Sequence, residues 1–407
     1  MRIPCCLSVF ALGACSSSEP PVPSPVYYGE VDAILAENCV DCHAADEDRL
    51  APFSLAGYDD AVLAAEHTPI AFAVMNRIMP PYYADDSGAC RTYHGNRWLT
   101  DAQISTLVAW ANGAHAAGDP ADATPPPPPP PALDGVEAWL DPGADYLPTQ
   151  SVDDEYRCFV VDPGLAADQF LTGFQVRPGN GSVVHHVIVF ALPDAAAEAD
   201  ALGRDAGDLA LGYPCPGGPG PASASFLIGW APGNAAVRFP IGTGIRMLGG
   251  RRVVMQVHYN LAESDRRVDR TTVDLALAAA VADEAAILSV RADVDLLPGQ
   301  PDVAAIGARA LPPGAGGRIW GVAMHMHQRG IGGGVRRVVG GDACLLDLVN
   351  WSFHWQHLYW FDTPQPVAGG DRLEVTCHYD TSDDRTPVRW GEGTGDEMCL
   401  AYVYASQ

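Results

Sequence analysis

The chain has 407 residues, 18% of them charged, and its formal net charge is −26. This length predicts two to four domains, and a hydrophobic content of 48% is enough for packed cores. Because no Lys/Arg-rich run interrupts the acidic balance, the composition excludes a nucleic-acid-binding role based on basic patches. The 42 glycines and 35 prolines favour turn-rich β domains and exclude a largely disordered chain.

Residues 1–14 have the composition of a secretion signal, since Arg2 is followed by an apolar stretch that is too short to span a bilayer. The stretch ends in Leu12-Gly13-Ala14-Cys15, which resembles the cleavage box of bacterial lipoproteins, with Cys15 as the acylated residue. An ordinary signal with a chance cysteine is the alternative. Residues 15–26 then form a tether. We expect an exported protein, anchored by lipid on the periplasmic face of a bacterial membrane (the outer membrane is favoured) or at the cell surface.

The first chemical motif is Cys39-Val40-Asp41-Cys42-His43, a C-x-x-C-H sequence. This spacing is typical of covalent c-type haem attachment, in which Cys39 and Cys42 bond the haem edge and His43 ligates the iron. A redox C-x-x-C pair and half of a zinc site are the alternatives. Apolar residues at helical spacing precede the motif, and a helix that Thr100 can cap follows it. Residues 27–118 therefore resemble a small, all-α class I cytochrome c carrying one haem c.

Met79, in Arg77-Ile78-Met79-Pro80-Pro81, is predicted to be the second axial ligand of this haem. A methionine ligand raises the reduction potential, which suits electron transfer. The two prolines favour an extended segment that can hold the side chain over an open haem face. Met75, one helical turn earlier, is the competing candidate.

Residues 119–133 are predicted to be a proline-rich linker that ends the haem module. The run Pro125–Pro131 favours a stiff polyproline II rod, which cannot pack a core. Such a spacer can set the distance for electron delivery, or it can simply resist proteases. The sequence fits both interpretations.

From residue 134 onward, short runs rich in Val, Ile, Phe and Tyr alternate with Pro/Gly turns. This pattern predicts antiparallel β-sandwiches with few long helices. The clearest predicted strands are residues 174–176, 183–190, 252–259, 373–379 and 398–404.

Six side chains that bind transition metals follow one another through this β-rich region. They are His185, His186, His258, His325, His327 and Met398. His325 and His327 are two residues apart, so a strand points both to one face; alone, this pair would also suit zinc. The adjacent pair His185 and His186 can reach one ion only at a bulge, a strong twist or a strand end. The thioether of Met398 is a soft ligand that favours Cu(I).

The order HH, H, HxH, M and its contexts VVHHVIVF, MQVHYN, AMHMHQRG and GTGDEMC resemble the copper type II monooxygenases. This is the family of peptidylglycine α-hydroxylating monooxygenase and dopamine β-monooxygenase. The resemblance implies two jelly-roll-like β-sandwich domains in series, residues 134–287 and 288–407, with one copper ion each. It implies an electron-transfer copper at His185, His186 and His258. It also implies a catalytic, O2-activating copper at His325, His327 and Met398.

Cysteine positions extend this resemblance. It implies a disulfide in each copper domain, Cys158–Cys215 in the first and Cys377–Cys399 in the second. Cys90 and Cys344 match no family bridge. They are either free, or they join the haem module to the second copper domain.

The substrate side departs from the peptide-amidating member of the family. That enzyme has an arginine two residues before its H-x-H, where this chain has Ala323, and an asparagine where this chain has Leu400. Tyr402 matches a substrate-side tyrosine. His354 and His357, in an aromatic run, match no family ligand and are expected to be structural. Copper chemistry is therefore expected without the carboxylate clamp.

The function that the resemblance implies is hydroxylation of a C–H bond in a small molecule or peptide, with O2 and two single electrons. An external donor would supply the electrons, relayed through the fused haem. Two other classes stay open. One is a non-enzymatic electron-transfer or copper-handling lipoprotein; the other is a zinc-dependent hydrolase, which Met398 disfavours.

Overall fold

The computed structural model describes residues 24–45, 51–125, 128, 131–149, 153–261, 267–338 and 342–407. The predicted signal 1–14, the acylation candidate Cys15 and part of the proline run lie outside these residues. In the part of the chain that is described, no helix combines the length and the apolar composition that crossing a bilayer requires.

Four of the five described α-helices lie in residues 27–118, the N-terminal module. The helices are α1 (Asp32–Asn38), α2 (Tyr58–His67), α3 (Ile70–Met75), α4 (Asp101–Ala111) and α5 (Ala195–Ala206). The module packs around a core that includes Val31, Leu35, Leu107 and Trp110. Helix α4 begins after the predicted cap: the Thr100 side chain accepts from the Gln103 N–H, and the Gln103 side chain accepts from the Thr100 N–H. This reciprocal capping box fixes the start of the helix.

The remainder of the chain is mostly β-sheet, as the sequence predicts. The strands are β1 (Val136–Leu140), β2 (Asp154–Val161), β3 (Gln169–Arg177), β4 (Val184–Ala191), β5 (Tyr213–Pro214), β6 (Ser225–Trp230), β7 (Val237–Arg238), β8 (Thr243–Met247), β9 (Val253–Asn260), β10 (Thr272–Ala278), β11 (Asp283–Ala292), β12 (Asp295–Leu296), β13 (Val303–Ala310), β14 (Gly316–His325), β15 (Gly330–Val338), β16 (Asp342–Leu348), β17 (Leu358–Ala368), β18 (Arg372–Tyr379), β19 (Val388–Arg389) and β20 (Cys399–Ser406). The five predicted strands are confirmed as β3, β4, β9, β18 and β20.

One large sheet runs through both predicted copper domains. Its order is β1-β10-β3-β8-β11-β20-β14-β17, with β7 paired to β3. The sheet β5-β2-β9-β4-β6 packs on its first part, and the sheet β13-β18-β15-β16 packs on its second part. Strand β11 joins the two parts, because it pairs with β8 on one side and with β20 on the other. The predicted domain boundary between residues 287 and 288 therefore falls inside this strand.

Helix α5 interrupts the β region, for which the sequence predicts strands and few long helices. The side chain of Asp194 accepts from the N–H groups of Ala196 and Ala197 and so caps the helix. Ala197 and Ala201 are buried beside the Cys158–Cys215 disulfide. Because alanines fill its buried face, the helix lacks the large apolar residues that mark an amphipathic helix in a sequence.

Residues 80–98, which we call the docking segment, extend from the rest of the N-terminal module into the core of the second sandwich. Tyr82, Tyr83, Ala84 and Tyr93 are buried among residues of the second sandwich. Backbone bridges pair Ala84 with Leu348 and Tyr93 with Phe361. The module is thus held by its own chain packing, in addition to the proline-rich linker. The docking segment therefore fixes the distance between the module and the second sandwich.

Among the described residues, the six cysteines outside the C-x-x-C-H motif all form disulfides. Cys158–Cys215 and Cys377–Cys399 form the two bridges that the resemblance implies. Cys90, in the docking segment, is bonded to Cys344 on β16, at a sequence separation of 254. Of the two alternatives for this pair, the structure has the covalent link between the module and the second sandwich.

Candidate metal centres

The first centre begins with a break in strand pairing on β4. The β4–β9 register passes from Val184↔Tyr259 to His186↔His258, which leaves His185 as an extra residue in a bulge. This is one of the geometries that an adjacent histidine pair needs to turn both rings toward one ion. His258, on β9, lies directly opposite His186.

The three imidazoles of this centre converge through their ring nitrogens, which lie within 4.8 Å of one another. The Nδ1 atom of His186 is 3.4 Å from Nδ1 of His185 and 3.3 Å from Nδ1 of His258. The Nε2–H of His258 donates to the Asp154 carboxylate at 3.0 Å, so its Nδ1 carries the lone pair. Three ring nitrogens that converge in this way can serve together as ligands of one metal ion.

Burial keeps the rings of His185 and His186 in the neutral, ligating form. It lowers the pKa of His185 to about 3 and that of His186 well below its ordinary value, and the neighbouring imidazoles lower both further. Tyr156 stacks on His258 with ring centroids 4.1 Å apart. Nε2 of His185 is buried and has no hydrogen-bond partner among the described residues. A buried polar atom without a partner is uncommon and marks a place where a further group is expected.

The second centre lies at the end of β14. His325 is the last residue of the strand, and His327 follows it on the same side, with ring centroids 5.1 Å apart. Nδ1 of His325 donates to Gln356 Oε1 at 2.6 Å, and Nδ1 of His327 donates to the Asp396 carbonyl at 3.1 Å. Both rings therefore present Nε2 as the lone-pair nitrogen. Burial lowers the pKa of His325 to about 4 and also lowers that of His327.

Strand register brings Met398 near this centre. The β14–β20 ladder ends at the pair His325 and Leu400, and Met398 lies two residues before Leu400 as His327 lies two residues after His325. The Met398 side chain is buried, and its carbonyl accepts from the Tyr379 hydroxyl at 2.7 Å. The preceding residue, Glu397, is fully buried and accepts from the N–H groups of His327 and Arg329 at 2.8 and 2.7 Å. These contacts hold the Met398 loop against the histidine loop.

The two centres meet across Phe353. Its ring stacks on His185 at a centroid distance of 4.6 Å and lies edge-on to His327 at 5.6 Å. Two hydrogen bonds also join the sandwiches here. Thr394 Oγ1 donates to Asp154 at 2.8 Å, and the Tyr156 hydroxyl donates to the Glu392 carbonyl at 2.9 Å. The loop that precedes Met398 thus contacts residues that orient His258.

The face of β14 and β20 beside His325 is apolar. Ala323 pairs with Tyr402, and His325 pairs with Leu400. Directly paired residues of an antiparallel ladder share a face, and so do residues two apart, so these four side chains lie together. They are half-buried, and the Tyr402 ring stacks on Phe226 of the first sandwich at 4.8 Å. Ala323, which occupies the position of the family's arginine, therefore provides no positive charge.

In the N-terminal module, Cys39 and Cys42 are the described cysteines that are not in disulfides. Burial raises the pKa of the Cys39 thiol to about 12 and also raises that of Cys42, although Arg97 opposes the effect at Cys42. A thiol with a raised pKa is a poor redox nucleophile. Nδ1 of His43 donates to the Phe53 carbonyl at 2.9 Å, which assigns the lone pair to Nε2. Among the described residues, Cys39 and Cys42 belong to no group of three metal-binding side chains.

The two methionine candidates of the module differ in exposure. Met75, at the end of α3, is 54% exposed, whereas Met79 is half-buried at the start of the docking segment. A side chain that must cover an apolar cofactor is expected to be withdrawn from solvent.

Four residues at these centres are not found by sequence reasoning. They are Asp154, Phe353, Gln356 and Thr394. Asp154 lies in an acidic stretch, a pattern typical of solvent-exposed residues. Phe353 and Gln356 lie in an aromatic run, a pattern typical of a hydrophobic core. Their role depends on tertiary contacts with histidines far away in sequence, and no local pattern encodes such contacts.

Comparison with known proteins bears on the same region. Residues 307–405 match the family model described as copper type II ascorbate-dependent monooxygenase, C-terminal domain. Tyramine beta-hydroxylase of Caenorhabditis briggsae is 26% identical over 250 residues, which are 56% of this chain and 40% of that protein. Dopamine beta-hydroxylase of Bos taurus is 28% identical over 253 residues, with the same shares of 56% and 40%. The chain thus matches less than half the length of these relatives.

Solved structures add little to this comparison. Allantoicase covers 61% of this chain, and the match includes 81% of that chain, at 15% identity and a TM-score of 0.18. An overlap this weak carries no argument about fold or function. The family match over residues 307–405 and the two hydroxylases, together with the histidine and methionine positions described above, support a relationship of this chain to the copper type II ascorbate-dependent monooxygenase family.

Proposed function

We propose that this protein is a copper-dependent monooxygenase that carries out R–H + O2 + 2e⁻ + 2H⁺ → R–OH + H2O. The observation that carries the proposal is the pair of imidazole clusters in adjacent sandwiches, which meet across Phe353. His185, His186 and His258 would hold one copper ion, and His325, His327 and Met398 would hold the other. When bound, these ions supply single electrons and O2 activation.

The chain's own residues prepare these sites. Asp154 fixes the tautomer of His258, and Gln356 and the Asp396 carbonyl fix those of His325 and His327. Phe353 packs between the first and second clusters, in contact with His185 and His327. The apolar face of Ala323, Leu400 and Tyr402 beside His325 supports a substrate whose reacting carbon is carried by a neutral or aromatic group, in a small molecule or a peptide.

We also propose that the N-terminal module binds a haem c. Cys39 and Cys42 would hold it through thioethers, with His43 and Met79 on the iron. The unpaired thiols with raised pKa values and the lone pair on Nε2 of His43 support this fit. A bound haem supplies electrons one at a time. An external electron donor and a lipid anchor at Cys15, on the periplasmic face of a bacterial membrane, complete the proposal.

The proposal is tested on the purified mature chain. We expect two coppers by elemental analysis and one haem by the pyridine assay. We also expect incorporation of one atom of labelled O2 into a metabolite when extract, reductant and protein are combined. One copper per chain, or zinc in its place, would contradict the two-site assignment. Full metal content without oxygen incorporation in any extract would favour an electron-transfer or copper-handling role.

Asp154→Asn is expected to weaken copper binding at the first centre by about 10- to 100-fold, the usual effect of removing a second-shell partner of a ligating histidine. An asparagine amide can turn its NH2 toward His258 and so favour the wrong tautomer. Chelator competition on the apo protein measures the affinity. Asp153→Asn, at the exposed neighbouring position, is the matched control. Equal copper affinity in both variants would show that Asp154 does not orient His258.

A further inference from the structure

In the part of the chain that the structure describes, the docking segment forms hydrogen bonds with one of the two sandwiches. The hydrogen bonds that it makes outside the N-terminal module go to residues 344–362. Arg91 donates to the Cys344 carbonyl at 2.8 Å, and the Tyr93 hydroxyl donates to the Leu345 carbonyl at 3.2 Å. The module is therefore fixed to the sandwich that carries His325, His327 and Met398, and its attachment bypasses the three-histidine cluster.

His357 is the residue of that sandwich that meets the start of the docking segment. The Tyr82 ring lies 6.4 Å from the His357 ring, and Pro81 directly precedes Tyr82. Pro81 is two residues after Met79. Nε2 of His357 and the hydroxyl of Tyr82 are both buried without a partner in the described chain. Because such atoms are uncommon in folded proteins, this point of the interface is where a further group is expected to reach.

The residue before His357 contacts the second centre. Gln356 Oε1 accepts from Nδ1 of His325 at 2.6 Å, and its backbone carbonyl accepts from Asn234 at 3.0 Å. One dipeptide, Gln356-His357, thus contacts a candidate copper ligand with its first residue and the segment after the candidate iron ligand with its second.

We propose that electrons from the N-terminal module enter at the second centre, through the series Met79 to Tyr82, His357, Gln356 and His325, and not at the three-histidine cluster. This inference rests on the proposed function, because it concerns the route between the groups that the two regions would hold. The series crosses two noncovalent contacts, Tyr82 to His357 and Gln356 to His325. His357 and Gln356 act in it as positioning residues.

The transfer would be a one-electron step with no bond made or broken. A haem held by Cys39, Cys42, His43 and Met79 would give up one electron, Fe(II) to Fe(III), and copper held by His325, His327 and Met398 would accept it, Cu(II) to Cu(I). A second electron would follow after the external donor had reduced the haem again. Because module and sandwich are docked in one chain, the rate is expected to be independent of protein concentration.

The test uses the full-length protein with haem and oxidised copper bound, under anaerobic conditions. A flash of a one-electron photoreductant reduces the haem, and haem reoxidation is followed by absorbance together with loss of the Cu(II) EPR signal. His258→Ala, which removes the first cluster, is expected to keep the dilution-independent phase of reoxidation. His325→Ala, which removes the second centre, is expected to lose it. The opposite pattern would place the entry point at the three-histidine cluster and overturn the inference.

The contact series is tested separately with His357→Phe, which keeps a ring but removes both nitrogens. We expect the dilution-independent phase to slow while haem spectrum and copper content stay unchanged, which separates a positioning effect from unfolding. His378→Phe is the matched control, since His378 is bound to Asp302 on the outer side of the same sandwich. Equal rates in wild type and His357→Phe would rule out this route. Absence of haem or copper from the wild-type protein would instead contradict the proposed function itself.

Discussion

Met398→Leu is expected to abolish oxygenation, with a loss greater than the roughly 100-fold that removal of a second-shell partner can cause. The thioether is the one soft ligand in the proposed second centre, and leucine cannot replace it. Leucine does preserve volume at this buried position, and such a swap usually changes stability by less than about 1.5 kcal/mol. Labelled-oxygen incorporation measures the activity, and elemental analysis with EPR measures the copper that remains.

The matched control for this change is Met326→Leu. Met326 lies between His325 and His327 and is fully buried in the core of the second sandwich. It shares the side-chain chemistry and the burial of Met398 but not the predicted role, so the activity of the variant should be close to that of the wild type. Copper at His185, His186 and His258 should survive in both variants. Full oxygenase activity in Met398→Leu would show that the thioether is not required.

The sequence predicts those parts of the fold that have strong local signals. The strand at 183–190 shows Val/Ile alternation, and the helix after Thr100 carries its own capping box, so both are found where expected. The bulge at His185 is one of the three geometries, with a strong twist and a strand end, that allow two adjacent histidines to share one ion. Periodicity and ligand spacing act within a few residues, which is why they can be recognised without a structure.

Contacts between distant segments are what the sequence leaves open. Strand β11 reads as a strand, but nothing in its residues shows that it pairs with β8 and β20 and so continues one sheet across the predicted boundary. Tyr82 and Tyr93 lie among prolines and turns, and their burial in the second sandwich depends on a partner surface more than 200 residues away. The same limit applies to Asp154 and Phe353, whose neighbours are histidines from other strands.

A second large effect is expected on substrate selectivity. Ala323 pairs with Tyr402, and Leu400 pairs with His325, so the face beside the second centre has no cation at the position of the family's arginine. A charge-assisted hydrogen bond to a carboxylate is worth about 1.5–3 kcal/mol. Its absence corresponds to a loss of about 10- to 150-fold in affinity. Glycine-extended peptides should therefore bind poorly to the wild-type protein, and their carboxylate should contribute nothing.

Calorimetry of a glycine-extended peptide acid and its methyl ester, each with the copper-loaded protein, measures this contribution directly and does not depend on turnover. The wild type should bind acid and ester with similar affinity. Ala323→Arg should shift the ratio toward the acid by about tenfold or more, because the half-buried face lets the guanidinium reach a carboxylate with little competition from water. Ala323→Gln supplies similar length without charge and should leave the ratio near that of the wild type. A strong preference of the wild-type protein for the acid would mean that another cation replaces the arginine, and the substrate class proposed from this apolar face would then be wrong.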